Sequence, residues 1–366
     1  MRTGFVWHEY YAWHDAGSAA GMIPADGRCT QPDTSGEDPE TKRRMRNLLE
    51  VSGLWGDLIQ IAPRPATEED VLRVHTENHL RRIQELSSEG GGYTGIITHC
   101  GAGTYDIAML SAGGVIAAAD AVLDGDVDNI YALVRPPGHH AMPDEAQGFC
   151  IFSNAAIAGR YLLEKRGVER IAYVDWDVHH GNGTETAFYT DSAALTISVH
   201  QDRFFPNDRG LVEHNGEGDG DGYAINVPLP AGSGVGAYVA TWRRVVVPAL
   251  RKYRPDVLFV PSGFDAGALD PFGRNMMHSD GYRELTRMMM DVADEVCGGR
   301  IVMCHEGGYS RASVPFLGLA VMETLMKKRT TIEDPFLPLV RDLGGQELQP
   351  HQAAVINQSA ALLDKI

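Results

Sequence analysis

The sequence DWDVHHGNG at residues 175–183 decides the fold of this chain, because it places acids and an imidazole directly after an apolar run. That run, residues 171–174, predicts a buried strand. In an extended chain alternate residues point to one side, so Asp175, Asp177 and His179 can converge on one point. Two buried carboxylates close together are costly without a cation or strong hydrogen-bond partners. The stretch therefore predicts a metal site at a strand end.

Short apolar runs alternate with longer helical patterns along the chain. Strands are predicted at 4–7, 130–134, 170–174, 194–199, 257–261 and 300–304. Helices are predicted at 41–51, 77–86, 108–123, 155–165, 236–253, 281–296 and 314–326. This alternation is typical of an α/β protein with a mostly parallel central sheet and helices on both faces. Because no repeat or long linker divides the chain, we predict a single domain over residues 1–366.

The composition narrows the class of partner and the compartment. A formal net charge of -17 disfavours a nucleic-acid partner and suits a cationic substrate. The five cysteines have no CxxC spacing, which favours a reducing compartment over a disulfide framework. Residues 1–17 contain no signal-peptide core, and no later stretch approaches a membrane-spanning length. We expect a cytoplasmic protein without a membrane partner, and its oligomeric state, including a homo-oligomer, stays open.

Polar motifs follow four of the predicted strands. They are RPPGHH at 135–140, DWDVHHGNG at 175–183, SGFD at 262–265 and HEGGY at 305–309. Ligands bind at the carboxyl ends of the strands in open α/β sheets, so we expect these four loops to form one site.

These four segments, in this order, resemble the histone deacetylase family, which has the arginase/deacetylase fold. The resemblance is nearest to the class II-like bacterial histone deacetylase-like amidohydrolases and spans about residues 4–326. It implies a catalytic core of that extent, with residues 327–366 docked on it. It also implies one catalytic Zn²⁺ held by Asp177, His179 and Asp265. Three such ligands leave a coordination position open, as in catalytic zinc sites.

The same resemblance assigns the acid–base residues. His139 and His140 follow a Pro-Pro-Gly turn, and both are implied to contact the attacking water, with His140 as the base and later the proton donor. A catalytic imidazole needs a partner on its other nitrogen, and the family pattern implies Asp175 for His139 and Asn182 for His140. Because an amide raises basicity less than a carboxylate, we expect His140 to titrate like an ordinary histidine.

A second electrophile is needed opposite the metal to polarise the substrate carbonyl. Tyr309 follows the flexible pair Gly307 and Gly308, and its hydroxyl could complete an oxyanion site. Glu306 is expected to hydrogen-bond loop backbone.

The resemblance further implies structural K⁺ and a narrow tunnel for an acylated lysine. One K⁺ site maps onto Asp175, Asp177, His179, Ser198 and Val199. A second maps near Phe188, Asp191, Ala194 and Tyr223. The tunnel maps onto Gly148, Phe149 and Phe205, with Phe272 at the rim where polyamine-specialised relatives carry a glutamate. An aromatic slot accepts a methylene chain.

Several functions remain open on this sequence. The first is a zinc-dependent amidohydrolase that removes acyl groups from lysine side chains of a protein or peptide. The second is the same chemistry on a small acylated amine such as an acetylpolyamine. A third is a catalytically inactive acyl-lysine-binding protein. A two-manganese, arginase-like enzyme would need more bridging carboxylates and histidines than the run at 175–179 provides.

Overall fold

The computed structural model describes residues 1–366, around an eight-stranded sheet in which all neighbouring strands are parallel. The strands are β1 (Thr3–Val6), β2 (Ile59–Gln60), β3 (Asn129–Ala132), β4 (Ile171–Asp175), β5 (Ala194–Gln201), β6 (Ala224–Leu229), β7 (Val257–Ser262) and β8 (Ile301–His305). Their order is β6-β5-β4-β7-β8-β3-β1-β2. The predicted α/β class with a parallel sheet is confirmed.

Both faces of the sheet are buried, which explains why its strands are continuous apolar runs. In β7, Leu258 and Val260 belong to one core cluster, while Val257 and Phe259 belong to the other. Side chains of a strand alternate between faces, so a central strand such as β7 contributes to both clusters.

Helices cover each of these two clusters. They are α1 (Pro39–Val51), α2 (Glu68–Leu72), α3 (Glu77–Ser88), α4 (Thr104–Leu123), α5 (Asn154–Lys165), α6 (Asn182–Phe188), α7 (Val235–Thr241), α8 (Val247–Tyr253), α9 (Ser279–Cys297), α10 (Val314–Leu325), α11 (Leu337–Val340) and α12 (Pro350–Ala360). Helices α2 to α6 pack on one face, and α1, α7 to α10 and α12 on the other.

Some details of the secondary structure differ from the sequence prediction, among them the unpredicted short strand β2 and helices α6 and α12. The helix predicted at 236–253 is interrupted by a π-helical turn, Trp242–Val246, just before Pro248. Proline has no N–H to continue the α-helical ladder, so the hydrogen-bond pattern changes there. The edge strand β6 was not predicted, because Pro228 lies within its apolar run and lowers its strand signal.

One helix, α4, is long and apolar enough to cross a membrane by length and composition, with a hydropathy of 1.6. The prediction that no stretch approaches such a length was therefore wrong. Of its apolar window, 78% is buried inside the protein, where it packs against α5 and the sheet. Burial on almost all sides accounts for a composition that lacks a polar face.

The C-terminal segment lies against the edge of the sheet. The Ser359 hydroxyl donates to the carbonyl oxygen of Asn226 in β6 at 2.7 Å. Ile356, from the same helix, is fully buried in the core. An exposed edge strand offers unpaired backbone groups to other chains, and α12 covers this one.

Two small antiparallel sheets lie above the carboxyl ends of the strands. One is formed by Ser18–Ala20, Ile23–Pro24 and Asp33–Thr34, and the other by Gly91–Tyr93 and His99–Gly101. They bring Met22 and Ile97 to the same cavity as Tyr309. The sheet thus supplies the floor of this cavity, and the long loops supply its walls.

Candidate active site

Asp177, His179 and Asp265 form a buried cluster at the carboxyl end of the sheet. Asp177 and His179 follow β4, and Asp265 follows β7. Nδ1 of His179 lies 3.0 Å from Oδ1 of Asp177 and 3.1 Å from Oδ2 of Asp265. One ligand atom of each side chain lies within 4.8 Å of the other two. The structure thus brings together the three residues that the sequence analysis assigns to zinc.

Asp175 lies outside this cluster, although the alternation rule predicted that it converges with Asp177 and His179. Strand β4 ends at Asp175 and the chain bends after it, so the extended pattern stops there. Oδ1 of Asp175 accepts a hydrogen bond from the backbone N–H of Asp177 at 3.0 Å. Its other oxygen faces His139. The third member of the cluster comes from Asp265, on a different strand end.

Backbone contacts orient the two carboxylates of the cluster. The amide of Gly307 donates to Oδ2 of Asp177, and the amide of Val178 donates to Oδ1 of Asp265, both at 2.8 Å. A Cβ atom on Gly307 would lie 2.1 Å from Oδ2 of Asp265. Glycine is therefore required there, because the loop backbone passes directly against the cluster.

The charges of the cluster suit a divalent cation. Burial, followed by the charge of Asp177, raises the pKa of Asp265 to about 8. Burial lowers the pKa of His179, but hydrogen bonds to Asp177 and Asp265 outweigh it and raise this pKa to about 10. Neither carboxylate forms an ion pair with lysine or arginine. Two carboxylates and one imidazole are the donors of a three-ligand zinc site, so the residues fit the metal.

The His139–His140 pair stands beside this cluster, with ring centroids 3.9 Å apart. Nδ1 of His139 lies 2.9 Å from Oδ2 of Asp175, and Nδ1 of His140 lies 2.8 Å from Oδ1 of Asn182. Both oxygens are acceptors, so each Nδ1 carries the proton and donates. The pairings expected from the sequence are present, and Nε2 of both rings is left for substrate or water.

The two histidines differ strongly in their proton affinity. Burial lowers the pKa of His139, but the charges of Asp175 and Asp177 outweigh it and raise this pKa to about 10. Burial, followed by the charges of His139 and His179, lowers the pKa of His140 well below that of an ordinary histidine. The expectation that His140 titrates normally is therefore wrong, because desolvation exceeds the contribution of the Asn182 hydrogen bond.

Tyr309 is half-buried in the lining of the cavity next to the cluster, with its ring centroid 6.5 Å from that of His179. Burial, followed by the charges of Asp265 and Asp177, raises its pKa well above the usual value, so the hydroxyl keeps its proton. Gly308, just before it, has a φ of 127°, a conformation that favours glycine. Tyr309 is thus a neutral hydrogen-bond donor in the same cavity as His140 and His179.

The cavity is a mostly apolar slot. It is lined by Met22, Ile97, His140, Gly148, Phe149, His179, Phe204, Phe205, Phe272 and Tyr309. The four substrate-binding residues predicted from the sequence all lie in this lining. Met22, Ile97 and Phe204 were missed, because nothing in the sequence of a loop indicates which apolar side chain will face a distant site.

The residues assigned to K⁺ lie behind the cluster. Asp175 and Ser198 are direct partners in the β4–β5 pairing. The hydroxyl of Ser198 lies 2.9 Å from Nδ1 of His200. In the second group, the amide of Asp191 donates to the carbonyl of Phe188, while its carboxylate pairs with Arg160.

Two further buried contacts support the histidine loop. Oε2 of Glu306 accepts hydrogen bonds from the amides of Gly138 and His139, at 2.7 and 3.0 Å, as expected from the sequence. Arg135, to which the sequence analysis gave no role, forms a buried ion pair with Glu37 at 2.7 Å. In the sequence, this supporting role is indicated by the position of Arg135 directly before the Pro-Pro-Gly turn.

The parallel sheet with an acid–imidazole cluster at its carboxyl edge is the arginase/deacetylase fold. Residues 36–325 match the family model of the histone deacetylase domain. The chain belongs to the histone deacetylase family, whose members act on acylated amines or lysines.

Several known proteins resemble the chain along most of its length. It is 48% identical to the histone deacetylase-like amidohydrolase of Pseudomonas aeruginosa, over 96% of this chain and 92% of that protein. It is 37% identical to a probable deacetylase of Archaeoglobus fulgidus, over 89% and 86%. The crystal structure of the HDA15 HD domain matches with a TM-score of 0.82 and 30% identity, over 100% of this chain and 98% of that one.

Proposed function

We propose that this chain is a zinc-dependent deacetylase that hydrolyses N-acyl groups on lysine side chains. The proposal rests on the set of chemical groups at the floor of the slot. There the buried acid–imidazole cluster lies beside a histidine pair whose Nε2 atoms are not used by Asp175 or Asn182, and a neutral tyrosine hydroxyl belongs to the same cavity. These are the acceptor, donor and ligand groups that hydrolysis of an unactivated amide requires.

Asp177, His179 and Asp265 would hold the zinc ion. When bound, zinc supplies a Lewis acid that polarises a carbonyl and lowers the pKa of water. The low pKa of His140 supports its role as the base, because a neutral imidazole can accept a proton. His140 takes a proton from the attacking water and returns it to the leaving amine. His139, with its proton shared with Asp175, orients that water.

Tyr309 donates a hydrogen bond to the carbonyl oxygen as negative charge develops on it. The slot above it takes the methylene stem of the acylated lysine between the rings of Phe149 and Phe205. Neither ring carries a polar group, so a stem without charge fits and water is excluded.

A small acylated amine, such as an acetylpolyamine, is the second candidate substrate. The net charge of -17 favours a cationic molecule. The slot itself has no carboxylate in its lining, and Phe272 offers a distant ammonium no charged partner. We therefore favour acyl-lysine. An inactive acyl-lysine-binding protein would not need this full set of proton-transfer groups.

We also propose structural K⁺ beside the site and a reducing, cytoplasmic setting. Oxygen atoms suit this cation, and the residues assigned to it are Asp175, Asp177, His179, Ser198 and Val199, with a second site near Phe188, Asp191, Ala194 and Tyr223. Cys100, Cys150, Cys297 and Cys304 are buried and free, and Cys29 is exposed and free, which suits a compartment that does not form disulfides.

The decisive test is release of acetate from an acetyl-lysine peptide. We expect turnover that a chelator abolishes and stoichiometric zinc restores, and faster turnover than on acetylspermidine or acetylputrescine. No release from peptide or polyamine by the zinc-loaded protein would establish the inactive binding protein instead. A preference for the polyamine would promote the second candidate.

A further inference from the structure

Asp270 lies in the loop between β7 and α9 and joins two parts of the slot. Its Oδ1 accepts a hydrogen bond from the amide of Phe272 at 2.9 Å. Its Oδ2 accepts from the amides of Tyr309 at 2.7 Å and Ser310 at 3.2 Å. The side chain is buried. One carboxylate therefore holds the backbone of both the rim phenylalanine and the tyrosine.

This arrangement requires a carboxylate. Three N–H groups converge on one side chain, and an ionised acid has only acceptors. An asparagine would keep one oxygen and turn an NH₂ group toward donors, which leaves at least one buried amide unpaired. Asp270 has no ion pair with lysine, arginine or histidine, so these amides are its main compensation for burial.

The loop before Tyr309 cannot fix the tyrosine by itself. Gly307 is glycine because a Cβ would collide with Asp265, and Gly308 takes a φ of 127°. Asp177 and the amide of Phe264 hold the backbone of Gly307, so the remaining conformational freedom lies at Gly308, directly before Tyr309. The contact from Asp270 comes at the first residue after the two glycines. This contact constrains the backbone at Tyr309. The glycines that close packing against the metal cluster requires cannot provide that constraint.

The carboxylate of Asp270 also holds the backbone of Phe272, whose ring is the neighbour of the Tyr309 ring. The ring of Phe272 lies against that of Tyr309, with centroids 4.8 Å apart. Since the backbone of both residues is held by Asp270, the two rings keep one relative position. A small displacement of the tyrosine hydroxyl from the carbonyl oxygen is costly, because oxyanion stabilisation depends on donor geometry.

We propose that Asp270 is a positioning residue for deacetylation, which acts by holding the backbone of Tyr309 beside Phe272. The proposal rests on the proposed function, and it assigns Asp270 no contact with substrate or metal. Its role is to set where the tyrosine hydroxyl meets the substrate, so its loss acts on kcat through Tyr309.

The test is a double-mutant cycle of Asp270→Asn and Tyr309→Phe in the zinc-loaded enzyme. We expect Asp270→Asn to lower kcat by roughly 10- to 100-fold with KM changed less than about threefold, and zinc to be retained. In the Tyr309→Phe background the same change should lower kcat by less than about threefold, since the donor it positions is gone. An equal loss in both backgrounds would overturn the proposal.

Asp256→Asn is the matched control. That carboxylate also bridges loops by accepting two backbone amides, from Glu169 and Arg170, both at 3.0 Å, but at the opposite end of the sheet. We expect it to leave kcat unchanged within about twofold. A loss of kcat equal to that of Asp270→Asn would show that any lost loop contact has this effect and would reject the specific role.

A second variant covers a failure of Asp270→Asn to fold. Asp270→Ser keeps a smaller acceptor, and its cycle with Tyr309→Phe should show the same non-additivity. The two proposals can fail separately. If the wild type releases no acetate, the deacetylase proposal fails; if it is active and both cycles are additive, only the role of Asp270 fails.

Discussion

The floor of the slot and its wall are built on different physical principles. The floor is the cluster Asp177, His179 and Asp265 with the pair His139–His140 and Tyr309, polar groups at strand ends that are all buried except the half-buried Tyr309. The wall consists of apolar side chains carried by loops, namely Met22, Ile97, Phe149, Phe204, Phe205 and Phe272. Most floor groups have a defined polar partner within about 3 Å. The wall rings make no hydrogen bonds of their own and pack on the rings of floor residues, as Phe205 does on His140 and Phe272 on Tyr309.

This difference predicts how each region responds to change. Removing one partner from a buried polar network leaves charges or donors unsatisfied, which is costly. Changing an apolar wall alters shape and polarity over a partly open surface, at a much smaller cost. Two wall residues, Ile97 and Phe149, have positive φ values of 56° and 68°, so the loops hold them against their backbone preference. The floor should decide whether the reaction occurs, and the wall which substrate enters.

The largest effect is expected for the metal ligands. His179→Ala or Asp265→Ala should lose bound zinc and lower activity by more than about 10³-fold, because a three-ligand site cannot spare one ligand. Metal analysis of the purified variants and the acetate-release assay measure both effects. Asp256→Asn, a carboxylate outside the site, should keep one equivalent of zinc. A full equivalent of zinc in either ligand variant would contradict this ligand set.

Tyr309→Phe tests the floor without touching the metal. We expect it to keep zinc while kcat falls by roughly 10²- to 10³-fold, the usual cost of one oxyanion donor. Tyr10→Phe, at a half-buried tyrosine outside the cavity whose hydroxyl makes no hydrogen bond within the protein, is the control and should be neutral. Unchanged kcat in Tyr309→Phe would mean that the hydroxyl does not contact the reacting carbonyl.

Zinc binding to the stripped enzyme should depend steeply on pH. Without metal the pKa of Asp265 is raised to about 8 and that of His179 to about 10, so at pH 7 the cluster holds protons that zinc must displace. Affinity should therefore fall by at least about tenfold when the pH drops from 7 to 6, and rise toward pH 8. Competition for zinc with a chelator of known affinity at pH 6, 7 and 8 measures the affinity of the enzyme for zinc. An affinity independent of pH would contradict the protonated cluster.

The smallest effect is expected at the wall. Phe272→Glu should shift the kcat/KM ratio of acetyl-lysine peptide to acetylspermidine toward the polyamine by about fivefold, which corresponds to ~1 kcal/mol for a carboxylate near an ammonium. Phe272→Leu, which removes the ring without adding charge, should leave the ratio nearly unchanged. If both variants shift it equally, ring shape rather than charge selects the substrate. A loss of all activity in Phe272→Leu would show that a wall residue is needed for the reaction itself, which contradicts the distinction between floor and wall.

The sequence was sufficient for the sheet and for the set of floor residues. Six of the eight strands were predicted from apolar runs, which are buried on both faces, and the floor groups follow four of these strands directly. The apolar runs can be identified from local sequence. The motifs that follow them can be assigned to one site because the carboxyl ends of parallel strands meet at one edge of the sheet. The short strand β2 and the edge strand β6 gave too weak a pattern, since one has two residues and the other contains Pro228.

What the sequence could not supply depends on contacts between distant segments. Strand alternation alone would let Asp175 converge with Asp177 and His179, but the chain bends after β4 and Asp175 pairs with His139, as the family resemblance implied. The ordinary pKa predicted for His140 was wrong, because burial is not visible in a motif. Met22 and Ile97 join the slot only through the small sheets above it.

The sequence by itself therefore determined which chemical groups this protein brings to the edge of its sheet. The tertiary structure decided which of them share a proton, which one is desolvated and what surrounds the substrate. The physical reason is that hydrophobic alternation is a local property of the chain. Desolvation, charge repulsion and the closing of a cavity depend instead on atoms that are near in space and far apart in sequence.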